Sequence, residues 1–495
     1  METYLTILLG LALAEFMRRC CYVVLHAFTG PLSKVPGPFL AKFTKIPWAM
    51  ELVKGTHFNT VGPMFEKYDS DIIRISDCTS IQKIIITDDL PKDPMFANFR
   101  AYPEIPTLFL EVDKASHKHT KKLLSNGFSP GYLNQLEPLM QGCIDKFEKV
   151  LDSACAKGDD FAVIDMANTL SALTFDVMCA TSLGGSFDLV TSNDLTLKKC
   201  LARALKFASL QSQVPWIRLL PGFRTGFNYL TAEINNVVEE IITRRRADTG
   251  PAQKDLLQII LDANVADPIF FPEQRVREEI KLFIVAGSDT TSMTVTQCLL
   301  QLVNNPRTLK CLVEEIDRAF PFKNEDITFA KTQDLQYMNA VIYEAMRLGM
   351  HPATMMRYTE NPTVLSGYQI PAKVNKEISI CGNTLTSTQT TVQPWAGAAM
   401  TDPKIWPDAK MFVPERWLGE YKGVVADKKD FFSFSAGRRG CIGQQFAWKE
   451  VRIIMGRLLR RYEISLIAGQ SHERRSHTTA WFVQGFYKVG VKPRM

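Results

Sequence analysis

The sequence has no Asn-x-Ser/Thr acceptor site, so nothing in it marks a glycosylated, extracellular body. It has no Cys-x-x-Cys pair, and its eleven cysteines are scattered without paired spacing, which excludes a zinc ribbon and a disulfide scaffold. Most are expected to be buried thiols. No fixed-period repeat is present and glycine and proline usage is ordinary, so solenoid, collagen-like and disordered classes fall away. Basic excess is slight, 58 Lys and Arg against 52 Asp and Glu, and it forms no stripe, so no nucleic-acid partner is expected. Long apolar runs are also missing. Tyr4 to Ala14 is apolar, but Glu15, Arg18 and Arg19 interrupt it before a second patch from Cys20 to Phe28.

Eleven helical residues rise about 16 Å, short of a roughly 30 Å hydrocarbon core, so a membrane span needs the interrupted stretch through Phe28 as well. Residues 1–30 read as an N-terminal membrane anchor. No positive residue precedes the apolar run, which disfavours a cleaved signal peptide, and Arg18 and Arg19 on its far flank leave the body in the cytosol. Residues 31–38, with three prolines and a glycine, form a stiff hinge. Beyond it, 3.6-residue periodicity predicts helices over Leu136–Leu151, Ile164–Thr181, Thr231–Arg246, Pro272–Val303, Pro306–Phe320 and Thr332–Leu348. Strand-like runs, Ile72–Ile75 and Ile81–Thr87, are few. The fold class is mainly α with small β-sheets (α+β), and no linker divides residues 39–495.

The strongest local signal is Phe434-Ser-Ala-Gly-Arg-Arg-Gly-Cys-Ile-Gly443, followed by a helical run from Gln444 to Arg461. Its glycines let the backbone turn around Cys441, which then precedes a helix N-terminus. That position, with Arg438 and Arg439 beside it, is expected to lower the thiol pKa and suits a metal-ligand sulfur, and Phe434 offers an apolar wall. The pattern Phe-x-x-Gly-x-Arg-x-Cys-x-Gly resembles the haem-binding loop of the cytochrome P450 family. Three further segments match that family in order. Glu344-Ala-Met-Arg347 and Pro414-Glu-Arg-Trp417 resemble the segments that build a structural Glu–Arg–Arg triad, and Ala286-Gly-Ser-Asp-Thr-Thr291 lies within a long helix.

The resemblance implies haem b with Cys441 as axial thiolate, packed between the long central helix and the cysteine-loop helix. Ala286 and Gly287 would open the helix for dioxygen, and Asp289 and Thr290 would form the acid-alcohol pair that delivers protons. Phe434, Gly437, Arg439 and Gly443 belong to the haem loop, and Arg357 matches a propionate partner in the first sheet. The Trp-x-x-x-Arg helix motif is altered to His117-Lys-His-Thr-Lys121, which makes His117 and Lys121 weaker matches. That segment, with Arg438 and Lys449, is a basic docking face for an acidic reductase.

A haem-thiolate monooxygenase is implied, inserting one oxygen atom from dioxygen into a small hydrophobic substrate with electrons from an NADPH-cytochrome reductase. The resemblance is to fungal microsomal members that oxidise secondary metabolites, held at the endoplasmic reticulum membrane with the catalytic body in the cytosol. Apolar pocket walls are expected at 96–109, 205–227, 353–356 and 481–486. The alternatives are a haem-thiolate isomerase or dehydratase, whose members usually lack the acid-alcohol pair, and a non-functional chain. The last arises because Val374–Gln389, sixteen residues, interrupts the family pattern and reads as a retained intron or a surface insertion. A second departure, a short deletion near Arg74–Cys78, is expected to weaken the first sheet at an edge.

Overall fold

The computed structural model describes residues 72–494 apart from 193, 195, 214–216, 218–219, 249–254, 323–324, 350–354, 373–376, 381–382, 387–389, 424 and 477–479, with eight scattered positions between 10 and 28. The anchor and hinge expected over residues 1–38 lie almost entirely outside the described residues. Among those described, no helix is long and apolar enough to cross a membrane.

The principal helices are α1 (Cys78–Gln82), α2 (Lys114–Leu124), α3 (Glu137–Ala156), α4 (Met166–Ser182), α5 (Thr196–Gln213), α6 (Phe223–Ala247), α7 (Leu256–Ala266), α8 (Glu273–Asn304), α9 (Pro306–Ala319), α10 (Gln336–Gly349) and α11 (Gln444–Arg461). The mainly helical expectation holds, and the six helices anticipated from periodicity are present. Four of their ends move: α3 runs on to Ala156, Ile164 belongs to a strand, α6 starts at Phe223, and a break at Asp334–Leu335 delays α10. Helix α4 is buried nearly all round and packs along α8, as a helix with apolar residues on every face must. Ile316, Leu312, Val451, Ile454 and Leu458 carry the same core from α9 into α11.

One expected strand is helical. Asp77 caps α1 by accepting the backbone N–H groups of Thr79 and Ser80, and a π-helical turn continues it over Lys83–Thr87. Ile81, Ile84 and Ile85 are buried whereas Ile86 is half exposed, which is helical rather than alternating spacing. The β-branched run suggested a strand, and the cap with the burial pattern overrides that propensity.

The first sheet pairs β1 (Ile72–Ile75) in parallel with β8 (Thr391–Pro394), which pairs antiparallel with β3 (Arg357–Tyr358). β1 is a four-residue edge strand, and an isolated bridge from Lys92 to Arg357 adds one more pairing. β2 (Ala162–Asp165), β12 (Lys488–Pro493) and β9 (Tyr462–Leu466) form a second sheet. β4 (Thr363–Leu365) with β5 (Tyr368–Ile370), β6 (Glu377–Ile380) with β7 (Asn383–Thr386), and β10 (Arg474–Ser476) with β11 (Ala480–Phe482) are two-stranded.

The Glu344–Arg347–Arg416 triad forms as expected and ties α10 to the Pro414–Trp417 turn. Arg347 donates to both carboxylate oxygens of Glu344 at 2.8 Å, Arg416 Nε donates at 3.0 Å and Trp417 Nε1 at 2.9 Å. Arg347 spends its remaining donors on the carbonyls of Met400, Ala409 and Met411. All three charged groups are buried, so the network must be complete to be tolerated.

Candidate active site

Cys441 is held by its loop before any other element touches it. Its N–H donates to the Phe434 carbonyl at 2.9 Å, and the Gly440 N–H donates to Gly437 at 3.0 Å. Gly437 adopts φ +67°, and a Cβ there would fall 2.2 Å from the Ile85 carbonyl oxygen, so glycine is required twice over. Gly443 stands at the start of α11, where its N–H favours the Cys441 thiolate. Phe434 lies against Phe431 and Trp448, in an aromatic group that includes Tyr343 and Trp417 and so connects the loop to the triad.

Cys441 is accessible, yet burial is the largest influence on its thiol and raises its pKa above the ordinary range. That combination describes a side chain lining a recess rather than the outer surface. The expectation of a thiolate favoured by flanking arginines is corrected here. Arg438 is exposed and reaches Asp89 at 3.7 Å, while Arg439 donates to the carbonyls of Glu111, Val112 and Asp113. Only the Gly443 N–H and the Lys121 charge work toward the thiolate, and desolvation outweighs them. A bound metal cation would reverse that balance by displacing the proton.

On α8 one strip is exposed. From Glu273 to Val303 every residue is buried or half-buried except Ala286 and Thr290, one turn apart on one face. The Thr290 hydroxyl donates to the Ala286 carbonyl at 2.7 Å, which leaves its oxygen free to accept. Asp289 sits about 100° further round the helix and lines a small pocket with Ser171, Phe175, Leu189, Leu201 and Ser288. The two members of the expected acid-alcohol pair thus face different spaces. Gly287 does not open the helix either. The helix is unbroken, and a Cβ at Gly287 would lie 2.5 Å from Met178 Sδ, so this glycine permits the close approach of α4. A cross-helix bond from Thr174 Oγ1 to the Ser288 carbonyl, 2.9 Å, accompanies that approach.

Near Cys441 the chain gathers basic side chains, two arginines and a lysine with a neutral histidine. His117 and Arg357 are buried, Arg439 is half-buried, and no carboxylate among the described residues lies within ion-pair distance of any of the three. Burial pushes the Arg357 guanidinium down to about 10, with Arg439 adding to the effect. Burial, then Arg439, Lys121, Lys92 and Arg357, push the His117 imidazole down to about 3, so it is neutral and donates a single hydrogen bond. Lys121 donates to the carbonyls of Arg438 and Gly440 at 2.9 and 2.8 Å, pinning the cysteine loop. Lys92 belongs to this group and was not anticipated, because a lysine beside two prolines reads as a solvated turn.

An accessible cysteine at a helix start, buried basic groups without an ion-pair partner among the described residues, and an exposed helix strip with a small residue and a hydroxyl make a donor set that fits an iron porphyrin with two carboxylates. Comparison with known proteins agrees. Residues 45–490 match the Cytochrome P450 family. The chain is 32% identical over 462 residues to the cytochrome P450 monooxygenase acrD of Aspergillus aculeatus, covering 90% of this chain and 88% of that protein. It is 33% identical over 412 residues to mpsF of Macrophomina phaseolina, covering 81% and 94%. Pisatin demethylase of Fusarium vanettenii is 27% identical over 501 residues, covering 96% and 91%. The chain belongs to the cytochrome P450 family and is an oxidoreductase.

Proposed function

We propose that the chain is a haem-thiolate monooxygenase that inserts one oxygen atom from dioxygen into a small hydrophobic substrate in fungal secondary metabolism. NADPH supplies the electrons through a cytochrome reductase, which docks on the basic face carrying Lys121, Arg438 and Lys449. Residues 1–30 anchor the chain at the endoplasmic reticulum membrane with the body in the cytosol. The observation that carries the reading is the accessible Cys441 held at the start of α11 by its glycine loop, with buried basic side chains that have no ion-pair partner among the described residues.

Haem, when bound, supplies the activation of dioxygen and the attack on carbon–hydrogen bonds. Cys441 would hold the iron, and Arg357, Arg439 and His117 would take the carboxylates. Phe434 and Gly443 belong to the loop that would hold the sulfur in place. Ala286 leaves space on the exposed strip of α8 because its side chain is a methyl group. Thr290 accepts a hydrogen bond on its exposed face and orients water or substrate, and Asp289 is the acid of the pair that delivers protons. Substrate enclosure falls to apolar surfaces such as Phe207 stacked on Phe223, 4.9 Å between centroids, with Gln211 tying α5 to the carbonyls of Asn98 and Arg100.

The test is the carbon-monoxide difference spectrum of the reduced, haem-loaded full chain. A strongly red-shifted Soret band is expected, and Cys441→Ala should abolish it. Absence of haem uptake, or a red-shifted band that persists in Cys441→Ala, overturns the reading. Turnover with NADPH and reductase then separates a monooxygenase from an isomerase.

A further inference from the structure

We propose that Gln297 is a substrate-binding residue, whose side-chain amide donates to a carbonyl or carboxylate oxygen carried by an otherwise apolar substrate. This names a substrate class for the haem-thiolate monooxygenase proposed above and rests on that reading.

Gln297 closes the accessible strip of α8. Successive residues of a helix advance about 100° and about 1.5 Å, so Gln297, seven residues beyond Thr290, lies within about 20° of it and about 10 Å further along the axis. Ala286 and Thr290 are exposed, Met293 on the same side is half-buried, and Gln297 is 1% exposed. The strip ends at the amide.

Three elements hold that amide in place. A Cβ at Gly349 would fall 2.5 Å from Gln297 Cγ and 3.0 Å from its Cδ, so α10 ends on a glycine that lets the side chain pass. Arg474 of β10 donates from Nη1 to Gln297 Oε1 at 2.7 Å and to the Gly349 carbonyl at 3.2 Å. A guanidinium has donors only, which fixes the amide with its oxygen toward Arg474 and its nitrogen turned away. That nitrogen, Nε2, is buried and has no acceptor among the described residues. Buried polar groups almost always find a partner, and a donor left unmade is costly. The adjoining guanidinium polarises the amide and strengthens its N–H groups as donors. Phe482, directly opposite Arg474 in the β10–β11 pair, adds apolar surface on the same side of the hairpin. An acceptor oxygen that reaches the end of the strip completes this group, while the reacting part of the substrate stays about 10 Å away beside Thr290.

The probes are 1-alkylimidazoles of increasing chain length, and the same chains ending in a carboxylic acid or its methyl ester. The imidazole nitrogen binds haem iron, so binding to the haem-loaded full chain is read as a shift of the Soret band, and the chain end reports what lies at its reach. The shortest members should bind alike. Once the chain spans to Gln297, the acid or the ester is expected to bind about tenfold tighter than the plain alkyl chain, the size of one hydrogen bond. The larger of the two gains tells a carboxylate from a carbonyl as the natural acceptor. Gln297→Leu and Gln297→Met should remove the gain and bind the plain alkyl chains as well as or better than wild type.

No gain at any length in wild type overturns the proposal, because the donor is then met by water alone. A gain that persists in both variants also overturns it and assigns the acceptor to another group. So does weakened binding of every chain, or lost haem loading, in both variants, which makes Gln297 a packing residue. Wild type whose Soret band does not move with imidazole itself defeats the underlying haem-thiolate reading instead.

Discussion

Individual residues here act through what surrounds them. Glu344 accepts from two guanidinium groups, an indole and the Val413 N–H, so Glu344→Ala would strand buried donors that have no access to water. The expected loss is about 3–5 kcal/mol, a large part of a typical folding stability, read as a lowered urea midpoint with poor haem loading. Glu279 gives a pH-dependent counterpart. It is fully buried on α8, accepts the Leu108 N–H at 2.8 Å and lies 3.7 Å from Arg275. Burial pushes its carboxyl up to about 8 despite Arg275, with Glu111 adding to the rise. The folded chain therefore holds this proton where the unfolded chain has released it. Stability falls as pH rises from the unfolded carboxylate range to about 8, by up to ~1.4 kcal/mol per pH unit, and levels off above. Glu279→Gln keeps the acceptor and should flatten that slope in urea titrations across pH 5 to 8. An unchanged slope would assign the dependence to other groups. Glu450 on α11 is a second buried acid whose carboxyl burial pushes up, with the Thr291 hydroxyl partly offsetting the rise.

Elements differ in how far their neighbours can be read from their own residues. α11 begins at Gln444 and ends at Arg461, as its pattern predicts, because a glycine start and continuous apolar spacing are local properties. α5 and α7 were not anticipated, and α2 was marked only by the altered helix motif at His117–Lys121. α2 is rich in lysine and histidine, and its start is set by Asp113 accepting the Ser116 N–H, so packing and a cap define it more than an apolar face does. The Val374–Gln389 segment is the reverse case, a run that stands out in sequence and whose described residues are two short strands. Its strands β6 and β7 pair from Glu377 with Thr386 to Ile380 with Asn383, and no other described strand joins them. A two-stranded hairpin paired only to itself contributes little stability of its own. We propose that it is a retained intron carried into the chain, and transcripts containing all sixteen codons would refute this. Deleting Val374–Gln389 is expected to leave haem loading and the carbon-monoxide spectrum unchanged, whereas loss of loading would show that the segment supports β8.

Across the whole molecule, the cysteine loop, the triad and the long helix were legible because each is specified by residues close in the chain. Glycines at fixed offsets turn the loop, and an i,i+3 Glu–Arg pair shares a helix face whatever lies beyond it. The amino-acid sequence by itself therefore determined the mainly helical class, the position of Cys441 and the family. Tertiary structure alone decided the electrostatics. Lys92, His117, Arg357 and Arg439 come from segments far apart in sequence and meet because α2, β3 and the cysteine loop converge. It also turned Gly287 toward Met178, separated Asp289 from Thr290, and raised the Cys441 thiol that its neighbours in sequence were expected to lower. The physical reason is shared by all of these. Desolvation and through-space repulsion depend on which groups are brought together away from water, and chain order does not carry that distance.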